Sequence, residues 1–358
     1  MRLGDEIAVT LFGESHGGLV GALVEGIPSG IAIDAELLAN DLSLRKPGSE
    51  LASKRKEDDE CHILSGINDG YTTGWPVLLV IANKDVRSSD YSFLPNHPRP
   101  GHADLPELVR SKGYSDLRGG GANSARLTAG LVAASSICRP IEESSNWLVE
   151  AHVHSIGEVV SKGIESLPLG DGESWNRIRC RDEDAALEMI NLVEQMKRES
   201  DSIGSSVELR ISGLPIGFGQ PWFEGIEPAL SHALMAIPAA RAIEFGRGTG
   251  ASKMRGSEHN DVWVSTSEGP NLGGKKPDGA LGGMATGADI FVKVHFKPPS
   301  SISREQETLN LESGESESLQ IIGRHDPVIA PRAVAVVESV ARLVLSDLTV
   351  KGGWNSNE

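Results

Sequence analysis

Five short stretches of the sequence carry side chains that bind anions or move protons. Gly13-Glu14-Ser15-His16-Gly17 crowds a carboxylate, a hydroxyl and an imidazole between glycines. Glycine leaves backbone and neighbouring side chains open to a ligand. The same residues match G-x-S-x-G, the pattern of a serine nucleophile on a strand-to-helix elbow, so a hydrolase acting through Ser15 is one reading. Pro98 to Asp104 (PRPGHAD) sets His102 behind a turn at Gly101, with prolines fixing the loop. Arg118 to Arg126 (RGGGANSAR) places three glycines between two arginines, ahead of an Ala-rich run. Free N–H groups at a helix N-terminus and guanidinium forks both bind anions. Lys297-Pro298-Pro299-Ser300-Ser301 offers an ammonium and two hydroxyls on a rigid frame suited to an anionic cofactor. Gly323-Arg324-His325-Asp326-Pro327 precedes a long apolar run, and the proline restricts Asp326 to extended geometry.

Each stretch has a plainer reading. GESHG is an ordinary glycine turn, Asp104 merely caps the helix after it, and Asp326 merely pairs with Arg324 or His325. The hydrolase reading suffers from its context. An elbow follows several strands and opens a long helix, whereas GESHG follows one strand and leads into the extended LVGALVEGIP. There is no Walker lysine and no G-x-G-x-x-G after a strand, so nucleotide-fold fingerprints are missing. His152, His154, His232 and His295 stand in apolar or alternating runs and read as structural. Gly246 to Gly250 reads either as a loop over the site or as a plain connection.

The elements that must position these stretches follow from pattern. Ile7 to Phe12 and LVGALVEGIPSG predict two strands, and Asp34 predicts an N-cap for the helix AELLANDL. HILSG and WPVLLVIAN predict buried strands, and residues 84–102 a long loop. The alanine-rich run after the RGGG glycines predicts a helix packed closely on both sides. WLVEAHVHSIGEVV, VELRISGLPIG and IFVKVHF predict strands. Asp182 to Lys197 predicts an amphipathic helix with acids in its first turn, EPALSHALMAI a helix, and AVAVVESVARLVLSDL a closing apolar helix. Residues 304–318 form an acidic surface excursion. A strand, then GIPSG or GLPIG, then a helix occurs twice, near residues 30 and 217, and hints at two similar halves. No low-complexity linker divides the chain, so residues 1–358 are expected to form a single α/β domain.

Composition narrows the partners. The chain has 358 residues and a formal net charge of −16. That balance argues against nucleic acid, since a phosphate backbone needs a basic face. A few arginines in a cleft still attract a small anion. Cys61, Cys138 and Cys180 form no CxxC or Cys/His spacing, which predicts a reducing compartment, no disulfide framework and no structural metal. The start MRLGDE lacks the features of a secretory signal, and no run of about 18 apolar residues spans a membrane. The expected location is cytoplasmic.

Taken together and in order, these stretches resemble chorismate synthase. GESHGGLVGALVEGIP, RPGHAD, RGGGxxSAR, SHALMAIPA, LGG, KPPSS and GRHDP with PRAVAVVE all look like that family's segments, from about Ile7 to Asp347. The resemblance implies a β-α-α-β sandwich, α/β (α+β) in class, with pseudo-symmetric halves and helices between antiparallel sheets. It implies a lyase that converts 5-enolpyruvylshikimate 3-phosphate to chorismate by 1,4 elimination in the shikimate pathway towards aromatic amino acids. It also implies reduced FMN without net redox change, a homotetramer, and an external flavin-reducing system rather than efficient use of NADPH by the chain itself. By the same resemblance His16 protonates the leaving phosphate, His102 stands beside the flavin edge, Asp326 lies near flavin N5 and Ser15 orients the network. Arg45, Arg126 and Arg324 hold the substrate's anionic groups. Ala122, Asn123, Ser124, Pro238, Ala239, Gly282, Lys297, Pro298, Pro299, Ser300, Ser301 and Arg324 occupy flavin-site positions. The chain departs from the family where Ala122, Asn123 and Ser124 replace Arg-Ser-Ser, at Leu127 in place of a glutamate, and near Glu50 and Leu51 in place of an arginine. Lys54, Arg55 and Lys56 offer replacement charge there. A hydrolase built on Ser15 and a non-catalytic flavin-binding protein are the other readings.

Overall fold

The computed structural model describes residues 1–46, 59–84, 88–267, 269–273, 278–323 and 325–354. The first half contains β1 (Ala8–Gly13), β2 (Leu19–Glu25), α1 (Ala35–Arg45), β3 (Cys61–Ser65), β4 (Val77–Ala82) and α2 (Thr128–Ile137). The second contains β5 (Leu148–Ile156), α3 (Glu183–Arg198), β6 (Ser205–Ser212), α4 (Ile226–Met235), β7 (Ala240–Phe245), β8 (Ile290–Phe296) and α5 (Ala330–Lys351). Strands β1-β2-β4-β3 lie side by side in one antiparallel sheet, and β5-β6-β8-β7 in another. Short edge strands Arg2–Leu3 and Val159–Val160 complete the two sheets.

With α3 set aside as an insertion, both halves run strand, strand, helix, strand, strand, helix, with the same sheet order. The hint of duplication at GIPSG and GLPIG is therefore the trace of a repeat that spans the whole fold.

Alternation dictates the layers. In the first sheet Val20, Ala22 and Val24 stand opposite Ile81, Leu79 and Val77, all fully buried. In the second, Val207, Leu209 and Ile211 lie between Val153, Ala151, Val149 and Val294, Val292, Ile290. Side chains alternate across a strand, so each sheet presents one apolar face. Helix α2 covers the first sheet, α5 covers the second, and these two helices pack on each other with α1 and α4 beside them. The result is sheet, helices, helices, sheet around one continuous apolar core. Small residues allow the close approach: a Cβ at Gly130 would come within 2.7 Å of the Gly21 carbonyl oxygen.

Asp34 caps α1 by accepting the N–H groups of Glu36 and Leu37, as its position predicts. The carboxylate of Asp347, near the end of α5, accepts N–H groups from Asp5, Glu6 and Ile7. Two expectations change and one gains detail. HILSG is not a buried strand, because β3 is the outer strand of its sheet and none of its residues is fully buried. The acidic excursion is a β-hairpin, Gln306–Leu309 with Ser316–Leu319, whose alternate residues face solvent. The three glycines do not open a helix: Gly119, Gly120 and Gly121 all have positive φ, and α2 begins only at Thr128.

Candidate active site

Equivalent connections of the two halves meet at one end of the sandwich. Residues 83–127 link β4 to α2, and residues 297–329 link β8 to α5. They interlock: Ser300 Oγ donates to the Gly101 carbonyl at 2.7 Å, and Leu311 N–H donates to Asn96 O at 2.9 Å. His97 Nε2 lies 2.8 Å from Glu317. Between them lies a cavity of about 740 Å³, within the range of small-molecule sites. His102, Arg126, Asp326, Ala122, Asn123 and Ser124 line it, as do Pro238, Ala239 and the whole run Lys297 to Ser301. Most of the residues singled out from sequence thus converge.

His102 is held by a buried cluster. Its Nδ1 lies 2.7 Å from Asp104 Oδ1 and 3.0 Å from Arg99 Nη2. Arg99 also donates to Asp104 through Nε and Nη2, each at 2.7 Å, and through Nη1 to Ser301 Oγ at 3.1 Å. Burial alone would raise the Asp104 carboxyl, but hydrogen bonds from Arg99 and His102 outweigh it and hold the group well below the ordinary carboxylate range. Asp104 does not cap its helix through its side chain.

Ser15 and His16 pack on the RGGG turn. Ser15 N–H donates to Gly121 O at 3.1 Å, and Ser15 Oγ lies 3.0 Å from His16 Nδ1. The His16 ring meets Tyr91 edge-on at 5.0 Å between centroids, and the Arg99 guanidinium lies over the same Tyr91 ring at 5.5 Å. His16 and Ser15 are not on the cavity wall; they touch Gly119 and Tyr91, which are. GESHG joins two strands in a hairpin, not a strand to a helix, so the nucleophile-elbow reading fails on geometry. At Gly119 (φ 60°) a Cβ would sit 2.3 Å from Ser15 Oγ and 2.4 Å from the His16 ring. Gly119→Ala is expected to lower stability by about 1–3 kcal/mol from the backbone conformation, with displacement of His16 adding to it. A urea titration matching the wild type would remove this role.

Arg126 is tied on three sides. Its guanidinium pairs with Asp59, donates to Asn83 Oδ1 at 3.0 Å and reaches Ala82 O at 3.3 Å. Asn83 in turn donates to the carbonyls of Glu14 and Gly17 at 2.9 Å, linking Arg126 to the GESHG loop. Asp59 also accepts from Arg45 Nη2 at 2.9 Å. Burial pushes the Asp59 carboxyl up, but the charges of Arg45 and Arg126 together bring it below its ordinary value. Arg45 itself is only 2% exposed and does not line the cavity, contrary to the expectation of direct ligand contact. It is a buried partner of the carboxylate that holds Arg126.

Asp326 lines the cavity, and its Oδ2 accepts from Arg332 Nη1 at 2.7 Å. Arg332, in the first turn of α5, is thus a partner of Asp326 that the plainer reading, a pair with Arg324 or His325, did not name. Lys297 donates to Gly101 O and to Ser300 Oγ, and burial and then the nearby Arg241 lower its ammonium from the ordinary value. Gly282 lies in a turn between Ala280–Leu281 and Met284–Ala285, away from this cavity. Residues 246–250 do not line it either; they form the plain connection after β7. Arg324, Leu51, Glu50 and Lys54 to Lys56 lie outside the described residues. Of the remaining histidines, His152 is tied between Glu208 and the Arg181 N–H, consistent with a structural role. His232 is exposed on α4, not part of the core.

Sequence reasoning missed Tyr91, Arg99, Arg241 and Arg332 on the wall and Asp59 behind it. Arg99 was legible within PRPGHAD, and Arg332 within the PRAVAVVE segment. Asp59, in an acidic run, carried no signal.

Comparisons with known proteins agree along nearly the whole chain. The family model described as Chorismate synthase matches residues 7–350. The chain is 41% identical over 350 residues to "Chorismate synthase" of Korarchaeum cryptofilum, covering 96% of each. It is 42% identical over 358 residues to "Chorismate synthase" of Aeropyrum pernix, covering 97% of this chain and 92% of the relative. A solved structure, "Crystal Structure of Chorismate Synthase", superposes with a TM-score of 0.73 at 25% identity, covering 98% of this chain and 93% of that one. With its layered fold and these relatives, the chain belongs to the chorismate synthase family of enzymes.

Proposed function

We propose that the chain converts 5-enolpyruvylshikimate 3-phosphate to chorismate by 1,4 elimination of phosphate and a ring proton, with reduced FMN and no net redox change. The observation that carries this reading is the charge of the cavity wall. In a protein of net charge −16, Arg99, Arg126, Arg241, Lys297 and Arg332 face one cavity, beside a single carboxylate, Asp326, among the described residues. Such a wall suits a ligand set rich in carboxylate and phosphate groups. Leu131, Pro238, Ala239, Pro298, Pro299 and Ile329 supply apolar surface beside those cations, which fits a flat ring with an anionic tail. Reduced FMN, when bound, supplies the electron density that eases departure of phosphate.

The residues divide the remaining work. Arg126 holds an anionic group of the substrate, and Arg45 fixes Arg126 through Asp59. Lys297, Ser300 and Ser301, with Ala122, Asn123, Ser124, Pro238 and Ala239, hold the cofactor, and Arg324 joins both sets. His16, braced by Ser15 behind the wall residues Gly119 and Tyr91, is the proton source for the departing phosphate. His102 balances charge at the edge of the site. Asp326 accepts the proton that leaves the ring side of the reaction. The reading extends to a lyase of aromatic amino-acid biosynthesis, working as one domain over residues 1–358 in a cytoplasmic homotetramer. An external system keeps the flavin reduced. Among the described residues no helix is long and apolar enough to cross a membrane.

Phosphate release from 5-enolpyruvylshikimate 3-phosphate under anaerobic conditions tests it. Turnover is expected with reduced FMN and not with oxidised FMN. Flavin-independent turnover, or labelling of Ser15 by a fluorophosphonate, would overturn the reading.

A further inference from the structure

We infer that Asp104 is a positioning residue that holds His102 in the tautomer with its proton on Nδ1, leaving Nε2 as an acceptor at the cavity. Two groups compete for Nδ1: the Asp104 carboxylate at 2.7 Å and the Arg99 guanidinium at 3.0 Å. An ionised carboxylate only accepts and a guanidinium only donates, so they demand opposite tautomers. Were Nδ1 bare, its lone pair would face a carboxylate oxygen at 2.7 Å. The closer, charged acceptor prevails; Arg99 Nη2 carries two N–H groups and directs one of them to the same Asp104 oxygen, at 2.7 Å.

The surroundings keep this arrangement in place. Asp104 is 2% exposed and begins the helix Asp104–Arg110, and its other oxygen takes the Arg99 backbone N–H at 3.0 Å and Nε at 2.7 Å. Neither oxygen is left to turn elsewhere. On the far side of the ring, His102 Cε1 and Nε2 lie 3.3 and 3.5 Å from the point where a Cβ of Gly120 would stand. Gly120 therefore leaves room at the nitrogen that carries the lone pair. A hydrogen bond to one ring nitrogen sets the state of the other. His102 is thus prepared to take a proton, or accept a hydrogen bond, at Nε2. The role proposed above for His102 gives this preparation its use, but the tautomer is decided by Asp104 and Arg99 alone.

The substitution Asp104→Asn separates the competing groups. Its single oxygen goes to the two donors Arg99 N and Nε, and its NH₂ then faces His102 Nδ1. The tautomer should invert, with the proton moving to Nε2. The measurement is magic-angle-spinning NMR of the full-length protein labelled with ¹⁵N-histidine, with His102 assigned by its loss in His102→Gln. Wild type is expected to show His102 protonated at Nδ1, and Asp104→Asn protonated at Nε2. Should Asp104→Asn not fold, Asp104→Ala serves: with no acceptor left, Nδ1 should take the Arg99 N–H and invert in the same way. A wild-type ring protonated at Nε2, or unchanged Nδ1 protonation in the variant, would overturn the inference. Turnover gives a second arm: kcat in Asp104→Asn should fall at least ~10-fold with a smaller change in KM, and Asp104→Glu should recover part of it if its longer side chain reaches Nδ1. Unaltered kcat with an inverted ring would also overturn the positioning role. If the wild type proves inactive on the proposed substrate while the tautomers behave as described, the functional reading fails and the inference stands.

Discussion

Asp326→Asn is expected to lower kcat for the elimination by about 10²–10⁴-fold, the scale of positioned proton transfer, while KM stays level or falls. The argument starts from the wall that Asp326 shares. Among the described residues it is the carboxylate beside five basic side chains, and its Oδ2 accepts from Arg332. Asparagine has nearly the same size and can still accept from Arg332, so the turn ahead of α5 should keep its shape. Two properties disappear: the negative charge and the capacity to take a proton. Losing the charge makes the wall more positive and favours anionic ligands, which pushes KM down. Losing the proton acceptor falls on the chemical step, which pushes kcat down. Opposite movements of these constants are the signature of a group acting in the transition state. Single-turnover phosphate release with pre-bound reduced FMN checks it. A normal rate with altered binding would reduce Asp326 to an ion-pair partner.

Asp59→Ala is expected to destabilise the protein by about 3–5 kcal/mol and to weaken substrate binding as well. Asp59 has a fully buried side chain and joins Arg45, itself buried, to Arg126. Removing one member of a buried ionic group leaves the others uncompensated, at a cost of roughly that size. Arg126 also loses its main anchor and no longer keeps its direction into the cavity. The effect depends on pH with a definite sign. The folded-state carboxyl lies below its ordinary value because the two arginines outweigh its burial. Its contribution is therefore present above the unfolded carboxyl's range and is lost as pH falls through the folded value. Urea titrations of wild type and Asp59→Ala should converge under strongly acidic conditions and differ most near neutrality. An equal gap at both ends would show that the deficit is packing and not charge.

The layers were legible because alternation is a local property. Val20, Ala22 and Val24, or Ile290, Val292 and Val294, announce one buried face without reference to the rest of the chain. The alanine-rich run to Ile137 announces tight packing in the same way. The order of strands was not legible: that β4 lies between β2 and β3 rests on contacts that sequence spacing does not reveal. The repeat left only GIPSG and GLPIG as its trace, since most equivalent positions share character rather than identity. At the site, His102, Arg126, Asp326 and the Lys297–Ser301 run were found because they sit in glycine- or proline-marked turns. Asp59 was not, since a buried carboxylate in an acidic run looks like surface charge. Arg45 was found as an anion partner, and the carboxylate it meets in the structure is the protein's own Asp59. The RGGG glycines likewise serve packing against His16 and His102, a job that a list of anion-binding patterns does not contain.

The contact between Asp347 and the backbone of Asp5, Glu6 and Ile7 has a consequence in time. Those three N–H groups lie some 340 residues ahead of the carboxylate that receives them, which is therefore synthesised later. The segment that leads into β1 therefore waits until α5 has been made to acquire its native partner. Helix α5, which also covers the inner face of the second sheet, arrives in the same late interval. Until it docks, each nascent chain carries an uncovered apolar sheet face, and the two halves close on each other only once α5 has emerged.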